Sequence, residues 1–222
     1  MKLPSHFYAM VDTAGGHDPV DLSRILLDAG VRLLQLRIKD VSSRELLSTA
    51  RAIAAMCSGQ GALMIVNDRA DVAMLAGAGG VHLGQEDLPL KAARRLVRKD
   101  LIIGISTHSI VQAVEAENGG ADYIGFGPIY RGGLRNNPTG KGLKMLRTVR
   151  DKVRIPIVAI GGITETAVPR VLAAGADACA IITDVVRAPD VAAKVRSILA
   201  LKPQRQEGFV DAATKRGRGG AP

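Results

Sequence analysis

The second short apolar run of the chain is followed by side chains that can donate hydrogen bonds to an anion. They are Gln35, Arg37 and Lys39, and their spacing at every second residue places them on one face of an extended strand. Arginine and lysine bind phosphate oxygens through charge-assisted hydrogen bonds, so these donors predict an anion-binding edge. The alternative is a solvated network in which Arg37 and Lys39 only pair with Asp40 or with acidic residues of neighbouring strands.

Oxygen ligands follow the third and fourth apolar runs. Asn67 and Asp68 end the third run, and Asp87 comes shortly after the fourth. Carboxylate and amide oxygens are the ligands that Mg²⁺ prefers, and Mg²⁺ usually accompanies a bound diphosphate. Cationic donors combined with metal ligands therefore favour chemistry in which a diphosphate is the leaving group.

A further phosphate-binding feature lies in the last third of the chain. Gly161-Gly162 follows the apolar run Pro156–Ile160, and Ile182-Thr183 follows Asp177–Ala180. Glycine lacks a Cβ and lets backbone N–H groups approach phosphate oxygens. In (β/α)8 barrels the loops after strands seven and eight commonly form such a cradle, so this pair predicts an enzyme that acts on a phosphorylated small molecule.

Eight short apolar runs recur at near-regular intervals and predict the strands that position these residues. They are residues 6–12, 31–37, 62–67, 80–84, 101–106, 123–129, 156–162 and 179–183. Segments with helical periodicity lie between them, and this alternation predicts a parallel sheet. The runs are continuously apolar, as expected for strands buried on both faces. Together these features predict a single (β/α)8 TIM barrel with its active site at the carboxyl ends of the strands.

Composition agrees with one compact domain over residues 1–201, since 47% of the 222 residues are hydrophobic. The two cysteines, Cys57 and Cys179, are predicted to be buried free thiols in a reducing compartment. The chain has no apolar leader and no apolar run near the roughly 20 residues of a membrane span, so a cytoplasmic protein without a membrane partner is predicted.

Residues 202–222 differ from the rest, because they are rich in basic residues and glycine and poor in apolar residues. This composition predicts a disordered basic tail. The tail lacks the interleaved aromatic residues and the dense basic run of nucleic-acid-binding segments, so no nucleic-acid partner is expected. The sequence leaves a homodimer open.

Six segments, in the right order, resemble thiamine-phosphate synthase. They are Gln35 to Lys39, Val66 to Arg69, Gly80 to Asp87, Gly104 to Ser106, Asp122 to Tyr130 and Ile160 to Ile163. The resemblance covers about residues 6–199. The runs His-Leu-Gly-Gln-Glu-Asp and Gly-Phe-Gly-Pro-Ile-Tyr are specific to this family and to its thiazole tautomerase relatives.

The resemblance implies a reaction between two phosphorylated substrates. A hydroxymethylpyrimidine diphosphate would condense with a thiazole phosphate, giving thiamine phosphate and pyrophosphate. The chemistry suits a dissociative path, in which the bond to diphosphate breaks first and the thiazole nitrogen captures the pyrimidinylmethyl cation. Such a path needs positioning and charge stabilisation, and it needs no protein nucleophile or general base.

The resemblance also assigns roles on the pyrimidine side. Gln35, Arg37 and Lys39 would hold the pyrimidine diphosphate, and Asn67 would complete its site. Ser106 would lie near the pyrimidine and the diphosphate. Of these residues, Arg37, Lys39 and Ser106 are the predicted catalytic groups.

For the metal and the second substrate, the resemblance implies five further positions. Asp68 and Asp87 would ligate Mg²⁺. Gly162 and the backbone of Ile182 and Thr183 would receive the thiazole phosphate. Thr183 stands where the family usually has serine, a change that keeps the hydroxyl.

One loop departs from the family pattern. After Tyr130 the family continues Pro-Thr-x-Thr-Lys, whereas this chain continues through an eleven-residue segment from Arg131 to Lys141 that is rich in glycine and asparagine. Arg135 falls at the position of the family's lysine, and Thr139 and Lys141 could serve instead if the loop folds back. Arg135 and Lys141 are therefore predicted catalytic cations, and Thr139 is a predicted substrate contact.

The altered loop motivates two alternative functions. The first is a non-catalytic or regulatory homologue that binds thiazole phosphate, although such a protein would not need Arg37, Lys39 and the acidic pair. The second is a thiazole tautomerase, which is disfavoured because those relatives have histidine where Pro128 stands. Of the remaining candidates for chemistry, His82 is predicted to be a structural strand residue, and His108 a loop residue near the site.

Overall fold

The chain folds into a closed barrel of parallel strands. We describe it from a computed structural model that defines residues 1–130 and 140–202. The strands are β1 (Phe7–Val11), β2 (Leu33–Leu36), β3 (Leu63–Asn67), β4 (Gly80–Leu83), β5 (Ile102–Thr107), β6 (Tyr123–Phe126), β7 (Ile157–Ile160) and β8 (Ala178–Ile181). Each strand pairs in parallel with the next, and β8 closes the barrel against β1. The predicted (β/α)8 TIM barrel is confirmed.

Helices connect the strands on the outside of the barrel. Over the described ranges they are α1 (Pro19–Asp28), α2 (Ser43–Gly59), α3 (Ala70–Ala76), α4 (Leu90–Leu96), α5 (Ile110–Asn118), α6 (Gly142–Arg150), α7 (Val168–Ala173), α8 (Thr183–Val186) and α9 (Val191–Ala200), with 3-10 helices at Thr13–Gly15 and Glu165–Ala167. The side chains of Asp18, Ser42 and Ser109 accept hydrogen bonds from first-turn amides and fix where α1, α2 and α5 begin.

Apolar side chains pack on both faces of the barrel. The larger cluster, which includes Leu22, Leu34 and Ile53, lies between the strands and the helices. The smaller cluster fills the lumen and contains Tyr8, Leu33, Ile65, Tyr123 and Val158 among its members. Burial on both faces explains why the strands are apolar without alternation.

Most strands end one to three residues earlier than predicted, because the chain leaves the sheet to form loops at the carboxyl ends, and two of these ends matter for the site. β2 ends at Leu36, so the alternation of a strand does not extend to Arg37 and Lys39, which lie in the following loop. β6 ends at Phe126, and Pro128 beyond it has no amide hydrogen with which to continue the ladder.

Aspartates at the amino ends of two even-numbered strands tie the barrel together. Asp122, before β6, accepts hydrogen bonds through Oδ2 from Ile103 N at 2.7 Å and Arg94 Nη2 at 2.5 Å. Asp177, before β8, accepts through Oδ2 from Ile157 N at 2.8 Å and from Arg150 Nη1 at 3.0 Å. Each carboxylate thus joins a neighbouring strand to a helix.

The cysteines are buried and free, as predicted. Burial raises the pKa of the Cys57 thiol to about 11 and that of Cys179 to about 12. None of the helices in the described ranges is long and apolar enough to cross a membrane. The predicted tail lies outside the described residues except for Lys202.

Candidate active site

Two of the predicted donors contact the neighbouring strand β1. Gln35 is buried in the lumen, and its Nε2 donates to the Tyr8 hydroxyl at 2.9 Å. Arg37 Nη1 donates to Asp12 Oδ2 at 2.5 Å. Asp12, which follows β1 and is buried, was not among the predicted site residues, although it follows an apolar run as Asp68 does. The ion pair holds the guanidinium at the mouth of the barrel, and a guanidinium has further N–H groups for an anion.

Lys39 reaches the third strand from the loop after β2. Its Nζ lies 3.9 Å from Asp68 Oδ2, and both side chains are partly exposed. An ion pair of this length and exposure stabilises a fold by little. Lys39 is therefore held loosely, and Asp40 beside it turns the chain through a left-handed φ of 61°. Ion pairing at the rim is real, but it leaves Lys39 available to an anion.

Asp68 and Asp87 lie side by side at the ends of β3 and β4. The pKa of Asp68 is raised to about 6 by partial burial and by the hydrogen bond and negative charge of Asp87, against the smaller lowering effects of Lys39 and Arg37. Asp68 has a left-handed φ of 63°, an uncommon conformation for a residue with a side chain. Asp87 Oδ2 accepts from the Gly84 amide at 2.6 Å, which fixes that carboxylate.

The Asp68–Asp87 pair fits a divalent cation. Two carboxylates held close enough to share a hydrogen bond repel each other once both are ionised, and a cation between them removes that repulsion. The described residues contain no group of three or more acidic, histidine or cysteine side chains that could hold a metal by themselves. Mg²⁺ commonly binds one or two carboxylates and takes its other ligands from water and substrate phosphates. Asn67, the half-buried last residue of β3, adds an amide beside the pair.

The predicted phosphate cradle lies at the carboxyl ends of β7 and β8. These strands pair through Ile160 and Ala180, so Gly162 and Ile182 follow their ends at equivalent positions. Gly162 has a left-handed φ of 65° and is exposed. Thr183 is the first residue of α8, a short helix directly after β8. Barrels that bind phosphate commonly use a short extra helix at this place.

Ser106 faces the lumen and is joined to a buried histidine. His82 Nε2 lies 2.9 Å from Ser106 Oγ, and His82 Nδ1 lies 2.9 Å from the Tyr123 hydroxyl. Burial lowers the pKa of His82 to about 4, so its ring is neutral at pH 7. The prediction of a structural strand residue is incomplete for His82, because its ring contacts a predicted catalytic residue. Neither Tyr8 nor Tyr123 was among the predicted site residues.

The altered loop is described only at its two ends. Lys141 is exposed at the start of α6, and its amide donates to the Pro128 carbonyl at 2.7 Å. Arg135 and Thr139 lie outside the described residues. His108, on the preceding loop, contacts the Gly127 carbonyl through Nδ1 at 2.9 Å. The structure therefore leaves the roles predicted for Arg135, Thr139 and Lys141 as predictions.

The fold and this mouth, with its cations, its paired carboxylates and the predicted phosphate cradle, are those expected of a (β/α)8-barrel enzyme for phosphorylated substrates. A family model described as thiamine monophosphate synthase matches residues 7–185. The chain belongs to this family, which confirms the resemblance found in the sequence.

Named relatives agree with this membership. The chain is 44% identical over 191 residues to a thiamine-phosphate synthase of Methanospirillum hungatei, covering 85% of this chain and 92% of that protein. It is 46% identical over 184 residues to a thiamine-phosphate synthase of Methanoculleus marisnigri, covering 82% and 87%. Among solved structures, thiamine phosphate pyrophosphorylase from Pyrococcus furiosus superposes with a TM-score of 0.81 at 34% identity, covering 87% of this chain and 93% of that one.

Proposed function

We propose that this chain condenses hydroxymethylpyrimidine diphosphate with thiazole phosphate to form thiamine phosphate and pyrophosphate. The observation that carries the proposal is the Asp68–Asp87 pair beside Lys39, because a protein that only bound thiazole phosphate would need neither a metal site nor cations for a diphosphate. Membership of the thiamine monophosphate synthase family supports the same reaction.

On the pyrimidine side, Arg37 and Lys39 bind diphosphate oxygens, and Asn67 completes this part of the site. Arg37 keeps its orientation through Asp12, whereas Lys39 exchanges its long contact to Asp68 for the diphosphate. Asp68 and Asp87 would hold Mg²⁺. When bound, the ion would supply positive charge against the diphosphate and so favour departure of the leaving group.

The reaction follows a dissociative path. The carbon–oxygen bond to the diphosphate breaks, and its electron pair leaves with the pyrophosphate. The thiazole nitrogen then donates its lone pair to the pyrimidinylmethyl cation and forms the new carbon–nitrogen bond. The chain contributes position and charge: Gln35 and Ser106 orient the pyrimidine ring, while Arg37 and Lys39 balance the charge that develops on the departing group.

The thiazole phosphate binds at the other half of the mouth. Gly162 and the backbone amides at Ile182 and Thr183 receive its oxygens, since the start of α8 and the left-handed turn after β7 leave backbone at the surface there. Arg135 or Lys141 takes the place of the lysine that the family usually has in the β6–α6 loop, and Thr139 contacts the substrate.

The test is a reaction of the purified full chain with Mg²⁺ and both substrates, followed by chromatographic detection of thiamine phosphate and enzymatic detection of pyrophosphate. We expect the two products in equal amounts, and neither product when chelator replaces Mg²⁺. Binding of thiazole phosphate without any product would support the regulatory alternative. Isomerisation of a thiazole carboxylate phosphate without condensation would support the tautomerase. The predicted cytoplasmic location, the homodimer and the absence of membrane and nucleic-acid partners stay predictions from the sequence.

A further inference from the structure

A chain of hydrogen bonds crosses the lumen of the barrel and joins two residues of the site. Gln35 Nε2 donates to the Tyr8 hydroxyl, which lies 2.9 Å from the Tyr123 hydroxyl. The Tyr123 hydroxyl lies 2.9 Å from His82 Nδ1, and His82 Nε2 lies 2.9 Å from Ser106 Oγ. The five side chains come from β2, β1, β6, β4 and β5.

The donor and acceptor groups of these side chains fix the direction in which each hydrogen bond is donated. A side-chain amide nitrogen can only donate, so the Tyr8 oxygen accepts from Gln35. Among the described residues, the Tyr123 oxygen is then the acceptor within reach of the Tyr8 proton, and the opposite direction would leave that buried proton without an acceptor. The Tyr123 proton then goes to His82 Nδ1. Burial raises the pKa of both tyrosines, which keeps their protons on the hydroxyls.

The remaining step follows from the charge state of His82. The ring is buried, and its two nitrogens lie 2.9 Å from hydroxyl oxygens with no carboxylate among their hydrogen-bond partners in the described residues, so the neutral ring is favoured. A neutral imidazole whose Nδ1 accepts must carry its proton on Nε2, and that proton is donated to Ser106 Oγ. Ser106 Oγ thus accepts within the protein, and none of the described residues accepts its own hydroxyl proton.

Two glycines leave space in the lumen for the rings of Tyr123 and His82. A Cβ at Gly104 would overlap the Tyr123 ring, and a Cβ at Gly125 would lie 3.0 Å from His82 Cε1. Both glycines face the lumen from β5 and β6, and larger residues there would displace the rings. The Tyr8 and Tyr123 rings meet edge to face with centroids 6.2 Å apart, so packing holds the hydroxyls in place.

We propose that Tyr8, Tyr123 and His82 are positioning residues that make the Ser106 hydroxyl a hydrogen-bond donor to an acceptor atom of the pyrimidine diphosphate. The chain of hydrogen bonds holds His82 in the Nε2–H tautomer. In this tautomer Nε2–H donates to Ser106 Oγ, which leaves the Ser106 proton free to be donated. The identity of the substrate rests on the proposed function. The direction of the hydrogen bonds rests only on contacts within the protein.

The direction is tested by NMR on the substrate-free full chain with ¹⁵N-labelled histidine at pH 7. Long-range ¹H–¹⁵N correlations report which ring nitrogen carries the proton, and the spectrum of His82→Asn assigns the His82 signals among the four histidines. We expect His82 as the Nε2–H tautomer. In Tyr123→Phe, which removes the donor to Nδ1, we expect a mixture of the two tautomers. A charged ring or the Nδ1–H tautomer in the unaltered chain would overturn the proposal.

The consequence for Ser106 is tested by a double-mutant cycle on turnover. Tyr123→Phe should lower kcat about three- to tenfold, the effect of losing one oriented hydrogen bond, and Tyr8→Phe should lower it less, because Tyr123 can still donate to His82. In a Ser106→Ala background, Tyr123→Phe should add less than a twofold loss, because its effect passes through Ser106.

Tyr130→Phe is the matched control, since the buried Tyr130 hydroxyl has no hydrogen-bond partner among the described residues and is not part of the hydrogen-bond chain. We expect its kcat within twofold of the unaltered chain. If Tyr123→Phe lowers kcat by the same factor with and without the Ser106 hydroxyl, the proposal that Tyr123 acts through Ser106 is wrong. The NMR result needs no substrate. If the protein shows the expected His82 tautomer but no condensation activity, the proposed function is contradicted and the direction of the hydrogen bonds still stands.

Discussion

The two ends of the barrel use aspartate in opposite ways. At the end of the barrel where the strands begin, called the amino end, Asp122 and Asp177 each accept hydrogen bonds from a backbone amide and from an arginine. Each of these two negative charges therefore has donors beside it. At the carboxyl end, Asp68 and Asp87 face each other, and the main cation beside Asp68 is a lysine 3.9 Å away.

The difference shows how one residue type can serve stability in one place and chemistry in another. A carboxylate surrounded by donors holds strands and helices together and has nothing left to bind. Two carboxylates with too few donors raise the free energy of the ligand-free state, and they lower it again when a cation arrives. The pair at the carboxyl end therefore costs stability in the ligand-free chain, as expected of the cation site proposed for it.

The largest effect should come from breaking the carboxyl-end pair. We expect Asp68→Asn or Asp87→Asn to lower kcat by roughly 100-fold or more, because a metal that stabilises a leaving group contributes about 3 kcal/mol or more to the barrier. Steady-state rates with saturating substrates and Mg²⁺ measure this. Asp71→Asn is the control, since Asp71 is an exposed carboxylate on nearby α3 that pairs with Arg69. Rates close to those of the unaltered chain in both pair variants would remove the metal assignment.

A smaller loss of activity should follow the removal of loop cations. Arg135→Ala or Lys141→Ala should lower kcat more than tenfold, which corresponds to at least about 1.4 kcal/mol, because positive charge near the departing diphosphate stabilises it. Lys144→Ala is the control, since Lys144 is exposed on α6 just beyond the loop. Unchanged kcat in both loop variants would mean that the longer loop supplies no catalytic charge.

At the amino end the expected effect is on stability and not on rate. Asp177→Ala leaves the Ile157 amide and one Arg150 nitrogen without their acceptor, and we expect a loss of about 1–2 kcal/mol in the free energy of unfolding. Urea denaturation measures the loss, and kcat should stay within twofold. Asp151→Ala, at an exposed position on the end of α6, should leave both quantities unchanged. Loss of activity without loss of stability in Asp177→Ala would contradict a purely structural role for this aspartate.

The smallest effect is a pH dependence of stability. The Asp68 carboxyl has a pKa of about 6 in the folded chain and an ordinary value of 3.8, so between these values the folded state binds more protons than the unfolded state. Its contribution is therefore favourable at low pH and is lost as pH rises from about 4 to about 6. With chelator present, the Tm of the unaltered chain should fall relative to that of Asp68→Asn across this window. Parallel Tm curves would contradict the raised pKa.

The strands and the end of the barrel that carries the site could be predicted from the sequence. Short apolar runs define β1 to β8, and polar residues that follow them closely, such as Asp68 and Asp87, must lie at one end of a parallel barrel. These inferences need only local sequence and one rule of topology.

Contacts across the lumen could not be predicted in the same way. Tyr8 meets Tyr123 although 115 residues separate them, and which strand faces which depends on how the closed barrel staggers its strands. Since both faces of each strand are apolar, the sequence does not indicate that Tyr8 points inward. The contact from Asp12 to Arg37 obeys the same rule as the rest of the site, since Asp12 directly follows β1 and Arg37 directly follows the neighbouring β2, so local sequence does contain a signal for it.

The claim that the carboxyl-end pair holds a cation is tested most directly with Mn²⁺, a paramagnetic substitute for Mg²⁺ that takes similar oxygen ligands. Electron paramagnetic resonance measures free Mn²⁺ as the full chain is titrated in the presence of pyrophosphate. We predict one bound Mn²⁺ per chain, bound at least tenfold more weakly by Asp68→Asn and as tightly as before by Asp177→Asn. Equal Mn²⁺ binding by the unaltered chain and Asp68→Asn would contradict the account.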